Sequence, residues 1–259
     1  MKTRRSLLAS AIVCAALTVF LPAATAVEIS GTIFELEVCQ GGVCVAQYDV
    51  EYSEEHWNPA SGHYFWALAQ DIPFESPSGE EIFATLGADG TFVEIVPPGP
   101  GRSDPQVNLG FAMIAGDETT TFTVKSAEVV FDTIMYAEGR ATASFTVSDG
   151  FDDGALLEGL DGPAYLAQYN AFVPGGTTFA QLIPSIAVAP FQGSNGLSQD
   201  YPGGGSWETI GVPVDRMSSM ISFTITANDM ASGTSNFEIM PEPTSLLLLA
   251  VGMTLIRRR

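Results

Sequence analysis

The chain has 259 residues, of which 30 are acidic and 10 are basic, so its formal net charge is −20 at pH 7. A chain of this length with 46% hydrophobic residues can bury a core. The acidity argues against nucleic acid as a partner, because a polyanion would be repelled. Divalent cations and neutral polysaccharides remain compatible with this charge.

The N-terminus predicts a secretory signal peptide over residues 1–26, which is expected to be helical. A basic start is followed by an apolar run over residues 7–21, and Ala24 and Ala26 then form an A-x-A pattern. These three features in this order are what a signal peptidase requires. We therefore expect an exported protein whose mature chain begins at Val27.

Residues 27–239 are predicted to form one domain with the fold of an antiparallel β-sandwich. This segment holds four basic residues against 29 acidic ones, a net charge of about −25. Ala143, Phe145 and Val147 alternate with Thr and Ser, and similar alternation recurs along the chain. A period of two places one face of each strand on a core and the other in water. Gly- and Pro-rich turns separate the runs.

The first predicted hairpin carries a predicted disulfide. In the sequence VCQGGVCV, Cys39 and Cys44 flank Gly41 and Gly42 symmetrically. Two glycines suit a two-residue hairpin turn, because both positions tolerate positive φ. This turn places the two cysteines directly opposite each other, and export favours a disulfide between them. A redox or metal-binding pair is the alternative, but the spacing is not C-x-x-C.

An aromatic stretch from residue 54 to residue 66 predicts a carbohydrate-binding surface. Its candidate residues are Trp57, Tyr64 and Trp66, since exposed aromatic rings stack on the apolar faces of sugars. The alternative is that these rings belong to the core. In a strand, Tyr64 and Trp66 share one face while Phe65 takes the other, so at least one of the three rings is expected to be buried.

An acidic loop with the sequence DGFDDG is a candidate calcium site. Its ligands would be Asp149, Asp152 and Asp153, because calcium prefers oxygen-rich turns. The spacing is not that of an EF-hand, and Asp-Gly pairs are first of all turn formers. A solvated turn is therefore the alternative, and no other cofactor is predicted.

The region after this loop predicts one or two short helices inserted between strands, over residues 154–172 and 177–186. Its apolar residues recur at helix-like spacing and would form one apolar face. These residues are Leu157, Leu160, Tyr165, Leu166 and Tyr169.

The sequence predicts no catalytic residues, so we expect a protein that is not an enzyme. His56 and His63 are the two histidines, their spacing matches no known metal site, and surface loops are their expected location. Ser206 lies in GGGSWE, which is not the nucleophile pattern G-x-S-x-G. A secreted hydrolase with two carboxylates converging in a cleft remains an alternative.

The last twenty residues, 240–259, combine a short apolar run with a basic end. The run from Leu246 to Ile256 spans roughly 17 Å as a helix, whereas the hydrocarbon core of a membrane is ~30 Å thick. Such a segment would be a weak and transient membrane stop, with its arginines on the cytoplasmic side. The flanking residues are Pro241, Glu242 and Pro243 before the run, and Arg257, Arg258 and Arg259 after it.

This tail resembles the PEP-CTERM sorting signal of Gram-negative bacteria, also catalogued as "ice-binding protein C-terminal domain", a label that is no sign of ice binding. The resemblance covers the tail alone. It implies that an exosortase cleaves near Pro241-Glu242-Pro243 and releases the protein to the cell surface or extracellular matrix. The sequence thus predicts a structural or adhesive surface protein. Exopolysaccharide is its candidate partner, and the alternatives are a carbohydrate-binding module and, after it, a secreted hydrolase.

Overall fold

The computed structural model describes residues 28–29, 31–76, 79, 81–98 and 104–242. Over these residues the chain forms twenty β-strands, one 3-10 turn at Glu54–His56 and no α-helix. The strands are β1 (Glu28–Ile29), β2 (Thr32–Gln40), β3 (Val43–Glu51), β4 (Trp57–Asn58), β5 (His63–Ala67), β6 (Ile72–Glu75), β7 (Ile82–Leu86), β8 (Phe92–Val96), β9 (Gln106–Ala115), β10 (Thr120–Ser126), β11 (Val129–Ile134), β12 (Ala137–Ser148), β13 (Ala155–Gly159), β14 (Tyr165–Tyr169), β15 (Thr177–Leu182), β16 (Ser185–Val188), β17 (Ser194–Tyr201), β18 (Glu208–Ile210), β19 (Val214–Ile225) and β20 (Met230–Pro241).

The strands form two antiparallel sheets of ten strands each, in a sandwich-like arrangement. The first sheet has the strand order β1-β11-β19-β10-β2-β3. β13 and β14 also pair with β19, and β16 pairs with β13 while β15 pairs with β14. The second sheet runs β17-β12-β20-β9-β8-β5-β4, with β18 beside β12 and with β7 and β6 beside β9. The sequence prediction of an antiparallel β-sandwich is confirmed at this level.

The core lies between the inner faces of the two sheets and is rich in aromatic rings. Phe122 and Phe223 come from the first sheet, and Phe111 and Phe145 come from the second. The Phe111 ring lies 4.9 Å from Phe145 and 5.3 Å from Phe223, measured between centroids. Tyr165 is also fully buried, and this burial raises the pKa of its phenol far above the usual value, although Ser219 lies within hydrogen-bonding distance of the hydroxyl.

The prediction of helices over residues 154–172 and 177–186 is wrong. The first range contains β13 and β14, and the second contains β15 and the start of β16. Of the five residues expected on one helical face, Leu157 and Tyr165 are fully buried, whereas Leu160 is exposed. The apolar residues thus follow the strand period in two short segments rather than one helical stripe.

The long strand β19 explains why these segments are strands. Leu157 pairs with Ile225 and Tyr165 pairs with Ile221, so both short strands lie along the same edge of β19. Backbone pairing with an existing strand overrides a weak helical preference. The turn between them is tight, because a Cβ atom on Gly159 would lie 2.0 Å from the carbonyl oxygen of Gly162.

The first hairpin has the geometry that its sequence predicts. Gly41 and Gly42 have φ values of 56° and 81°, which only glycine adopts at little cost. Gln40 then pairs with Val43, and Cys39 pairs with Cys44. The two cysteines form a disulfide.

The last strand leads directly into the predicted sorting signal. Pro241 is the final residue of β20 and pairs with Ala137, and the Glu242 N–H donates a hydrogen bond to the Tyr136 carbonyl at 2.7 Å. The strand therefore runs past the boundary expected at residue 239. Pro243, the apolar run and the three arginines lie outside the described residues, as do the signal peptide and both predicted terminal helices. Within the described ranges, no helix has the length and apolarity needed to span a membrane.

Candidate functional site

The structure separates the aromatic residues that the sequence singled out. Tyr64 is fully buried and Trp66 is 7% exposed, so neither ring is available to stack on a sugar. Burial raises the pKa of the Tyr64 phenol, which accepts a hydrogen bond from the Ser53 N–H. Trp57 is partly buried against the core. Phe65, between the two buried rings, has the opposite orientation and is 50% exposed.

Phe65 and Phe92 form an aromatic shelf on the outer face of the second sheet. Their ring centroids are 6.0 Å apart with an interplanar angle of 30°. Gly110 of the neighbouring strand makes room for this shelf. A Cβ atom there would lie 2.3 Å from the Phe92 ring and 2.4 Å from the Gly90 carbonyl oxygen. The Phe92 ring therefore packs directly over Gly110 of β9.

A ladder of polar side chains crosses four strands beside this shelf. His63 Nδ1 lies 3.1 Å from Glu94 Oε1, and Asn108 Nδ2 donates to Glu94 Oε2 at 2.9 Å. Asn236 Nδ2 donates in turn to Asn108 Oδ1. All four side chains are partly exposed. Amide and carboxylate groups together supply donors and acceptors, which is the chemistry that recognises hydroxyl groups.

The register of the sheet continues this face to its far edge. Phe65, Glu94 and Asn108 are opposite one another on β5, β8 and β9. The same row continues from Asn108 through Asn236, Thr142 and Asp200. The adjacent row on β20, β12 and β17 consists of small exposed residues, namely Thr234, Ser144 and Ser198. This part of the outer face is therefore covered by short polar side chains.

The far corner of the face holds a charged pair beneath a tryptophan. Arg140 Nε and Nη2 lie 2.8 Å and 2.7 Å from Glu238 Oε2. Glu238 is 5% exposed, so the guanidinium neutralises a buried carboxylate. The same guanidinium lies 4.6 Å from the centre of the Trp207 ring, within the range of a cation–π interaction. We call the shelf, the ladder and this corner together the outer-face site.

The sequence placed both histidines in surface loops, and the structure places one of them in a strand. His63 is the first residue of β5 and part of the ladder, whereas His56 ends the 3-10 turn. His56 Nε2 lies 3.4 Å from Glu55, and its ring packs edge-on against Tyr64. The expectation of two surface-loop histidines is thus wrong for His63, which lies in a strand and contacts Glu94.

The acidic loop brings together two of its three candidate ligands. Carboxylate oxygens of Asp149, Asp153 and Asp229 lie within 4.8 Å of one another, and Asp152 is not in this group. Asp229 comes from the β19–β20 loop, so sequence spacing did not reveal it. Asp149 accepts hydrogen bonds from Phe151 and Gly154, and Asp229 accepts hydrogen bonds from Gly150 and Thr226. These hydrogen bonds account for the clustering, and calcium binding stays a prediction.

Comparison with known proteins gives no family assignment. No family model and no curated protein matches the chain. Among solved structures, the chain is similar to the carbohydrate-binding module TmCBM61 in complex with β-1,4-galactotriose, at 14% identity and a TM-score of 0.25, over 61% of this chain and 87% of the module. It is also similar to the adhesin domain of Epf from Streptococcus pyogenes, at 9% identity and a TM-score of 0.25, over 82% of this chain and 64% of the adhesin domain. Likenesses this weak carry no argument about function.

Proposed function

We propose that this protein is an exported adhesive protein of the cell surface or extracellular matrix, and that its outer-face site binds neutral carbohydrate. The observation that carries the proposal is the aromatic shelf of Phe65 and Phe92 beside the hydrogen-bonding ladder. Aromatic faces stack on the C–H faces of sugar rings, and amides and carboxylates bind the hydroxyl groups at the ring edge. The candidate partner is exopolysaccharide. Binding, rather than catalysis, is the proposed activity.

Removing the Phe65 ring is expected to weaken glycan binding without unfolding the domain. Phe65→Ala should lower the affinity for a bound neutral glycan about tenfold, which corresponds to losing one exposed stacking contact. The matched control is Phe191→Ala, because Phe191 is an 85% exposed phenylalanine in the loop between β16 and β17, outside the strand rows of this face. Glycan-array screening followed by calorimetry measures both variants. If the protein binds no glycan, or if both variants bind as tightly as the parent, the proposal fails.

We propose that the exported chain reaches its destination through its C-terminal tail. The support is the sequence pattern of Pro241, Glu242 and Pro243 followed by an apolar run and three arginines. The end of β20 adds a physical reason for sorting after folding. Pro241 is paired with Ala137, so the folded domain extends to the first residue of the Pro-Glu-Pro sequence.

A chain truncated after Glu242 is expected to fold but not to reach the surface. The truncation keeps β20 and the Glu242 N–H bond to Tyr136 intact, so the stability of the domain should be unchanged. Cell fractionation and mass spectrometry of the mature C-terminus measure the outcome. The full-length chain should appear at the surface without Arg259, and the truncated chain should remain in the periplasm. Surface protein that still ends in Arg259 would contradict this route.

A further inference from the structure

We propose that the outer-face site binds an extended, neutral β-1,4-linked glucan chain that lies across the strands, with Phe65 and Trp207 near its two ends. This inference rests on the proposed function and specifies the shape and charge of the ligand. A site for a single sugar ring would need only the shelf and its neighbouring ladder residues. The geometry of the whole face instead points to a ligand several rings long.

The length of the face supports a chain rather than a single ring. The row from Phe65 to Asp200 crosses six strands in direct register. Five inter-strand spacings of ~4.8 Å make roughly 24 Å. Partly or fully exposed polar side chains line this row between its ends, and they are Glu94, Asn108, Asn236 and Thr142. Hydroxyl groups along an extended chain would therefore meet hydrogen-bonding groups throughout.

The shape of the face suits a flat ligand. The row beside the ladder offers Thr234, Ser144 and Ser198, all of which are small and exposed. Between Phe92 and the edge strand β17, this row contains no large side chain. A β-1,4-linked glucan is an extended ribbon with its hydroxyl groups at the edges and its C–H groups on the faces. Such a ribbon can lie along this row without meeting a bulky side chain of the row.

Trp207 provides the second aromatic contact. Its ring is partly exposed and does not belong to the hydrophobic core cluster. The Arg140 guanidinium covers one face of the indole at 4.6 Å, and Glu238 holds the guanidinium in place. The ring is thus held without being buried, which reduces the entropy lost when a ligand stacks on it.

The charges of the face select a neutral ligand. Glu94 and Asp200 lie in the central row and carry negative charge. Of the lysines and arginines that the structure describes, only Arg140 lies on this face, and Glu238 neutralises it. Lys125 and Arg216 belong to strands of the first sheet, where they pair with acidic residues. A uronic-acid polymer would meet repulsion from these two carboxylates, and among the described lysines and arginines none on this face is left unpaired to offset it.

The test compares β-1,4-linked glucose oligomers of two, four and six rings by calorimetry. Affinity should rise at least about tenfold from two rings to six, because the longer chain reaches the second aromatic contact. Trp207→Ala should lower the six-ring affinity about tenfold and leave the two-ring affinity unchanged. Phe65→Ala should weaken both. Melting curves of each variant show that it is folded.

A second variant obstructs the row of polar residues between Phe65 and Trp207 while leaving both aromatic residues in place. Thr142→Arg places a long side chain in this row, and it should weaken six-ring binding while sparing two-ring binding. Equal affinities for two and six rings, insensitive to Trp207→Ala and Thr142→Arg, would overturn the extended-chain inference but leave carbohydrate binding standing. Tighter binding of polygalacturonate than of the glucan would overturn the neutral class. An absence of binding to any glycan would remove the proposed function as well.

Discussion

Replacing Arg140 by methionine is expected to destabilise the domain by about 1–3 kcal/mol, because Glu238 loses its charged partner in an ion pair whose arginine side chain is 39% exposed. Glu238 is 5% exposed and would lose both of its contacts with the guanidinium. A carboxylate left unpaired at this depth is costly because the protein interior does not replace its hydration. Urea denaturation of the two proteins measures the loss.

The double variant Arg140→Met with Glu238→Leu separates the charge effect from lost packing. It should regain most of the stability, because two apolar side chains of similar volume replace the pair and leave no buried charge. Glu138→Gln is a matched control, since Glu138 precedes Gly139 on the same strand and lies on the surface side of β12. If Arg140→Met alone costs less than about 1 kcal/mol, the carboxylate is not buried as the structure shows it.

Replacing Phe223 by alanine is expected to destabilise the domain more, by about 3–5 kcal/mol, for a different reason. Phe223 is fully buried, and its ring lies 5.3 Å from Phe111 and 5.7 Å from Phe122. It therefore joins the inner faces of both sheets. The cavity left by its removal cannot collapse easily, because the surrounding rings are anchored on long strands.

Phe191→Ala serves as the control for this core variant. Phe191 is 85% exposed, so its loss should change the free energy of unfolding by less than about 0.5 kcal/mol. Thermal and urea unfolding of both variants provide the comparison. A small effect at Phe223 would mean that the two sheets do not pack through these rings.

The strands could be predicted from the sequence wherever one face of the strand is buried and the other is exposed to solvent. In β12, buried Ala143, Phe145 and Val147 alternate with exposed Thr and Ser, so the period of two is visible directly. The segments around Leu157 and Tyr165 could not be assigned this way. Each is five residues long, too short for a period to decide between helix and strand, and pairing with β19 settles the conformation.

The outer-face site could be predicted only in part. Alternation showed that Tyr64 and Trp66 share a face opposite Phe65, but it did not show which face is the core. The ladder could not be predicted from the sequence, because its members are distant along the chain. Asn108 and Asn236 are 128 residues apart and meet only through the pairing of β9 with β20. Asp229 joined the acidic loop for the same reason, since the β19–β20 loop brings it there.

Nuclear magnetic resonance can map the bound glucan on the protein and so test directly whether the outer-face site binds it. Titration with the six-ring β-1,4-linked glucose oligomer should shift the side-chain amide signals of Asn108 and Asn236, together with the ring signals of Phe65 and Phe92. The signals of Thr123, on the outer face of the first sheet, should stay in place. Shifts confined to the first sheet, with the two asparagine amides unmoved, would contradict carbohydrate binding at the outer-face site.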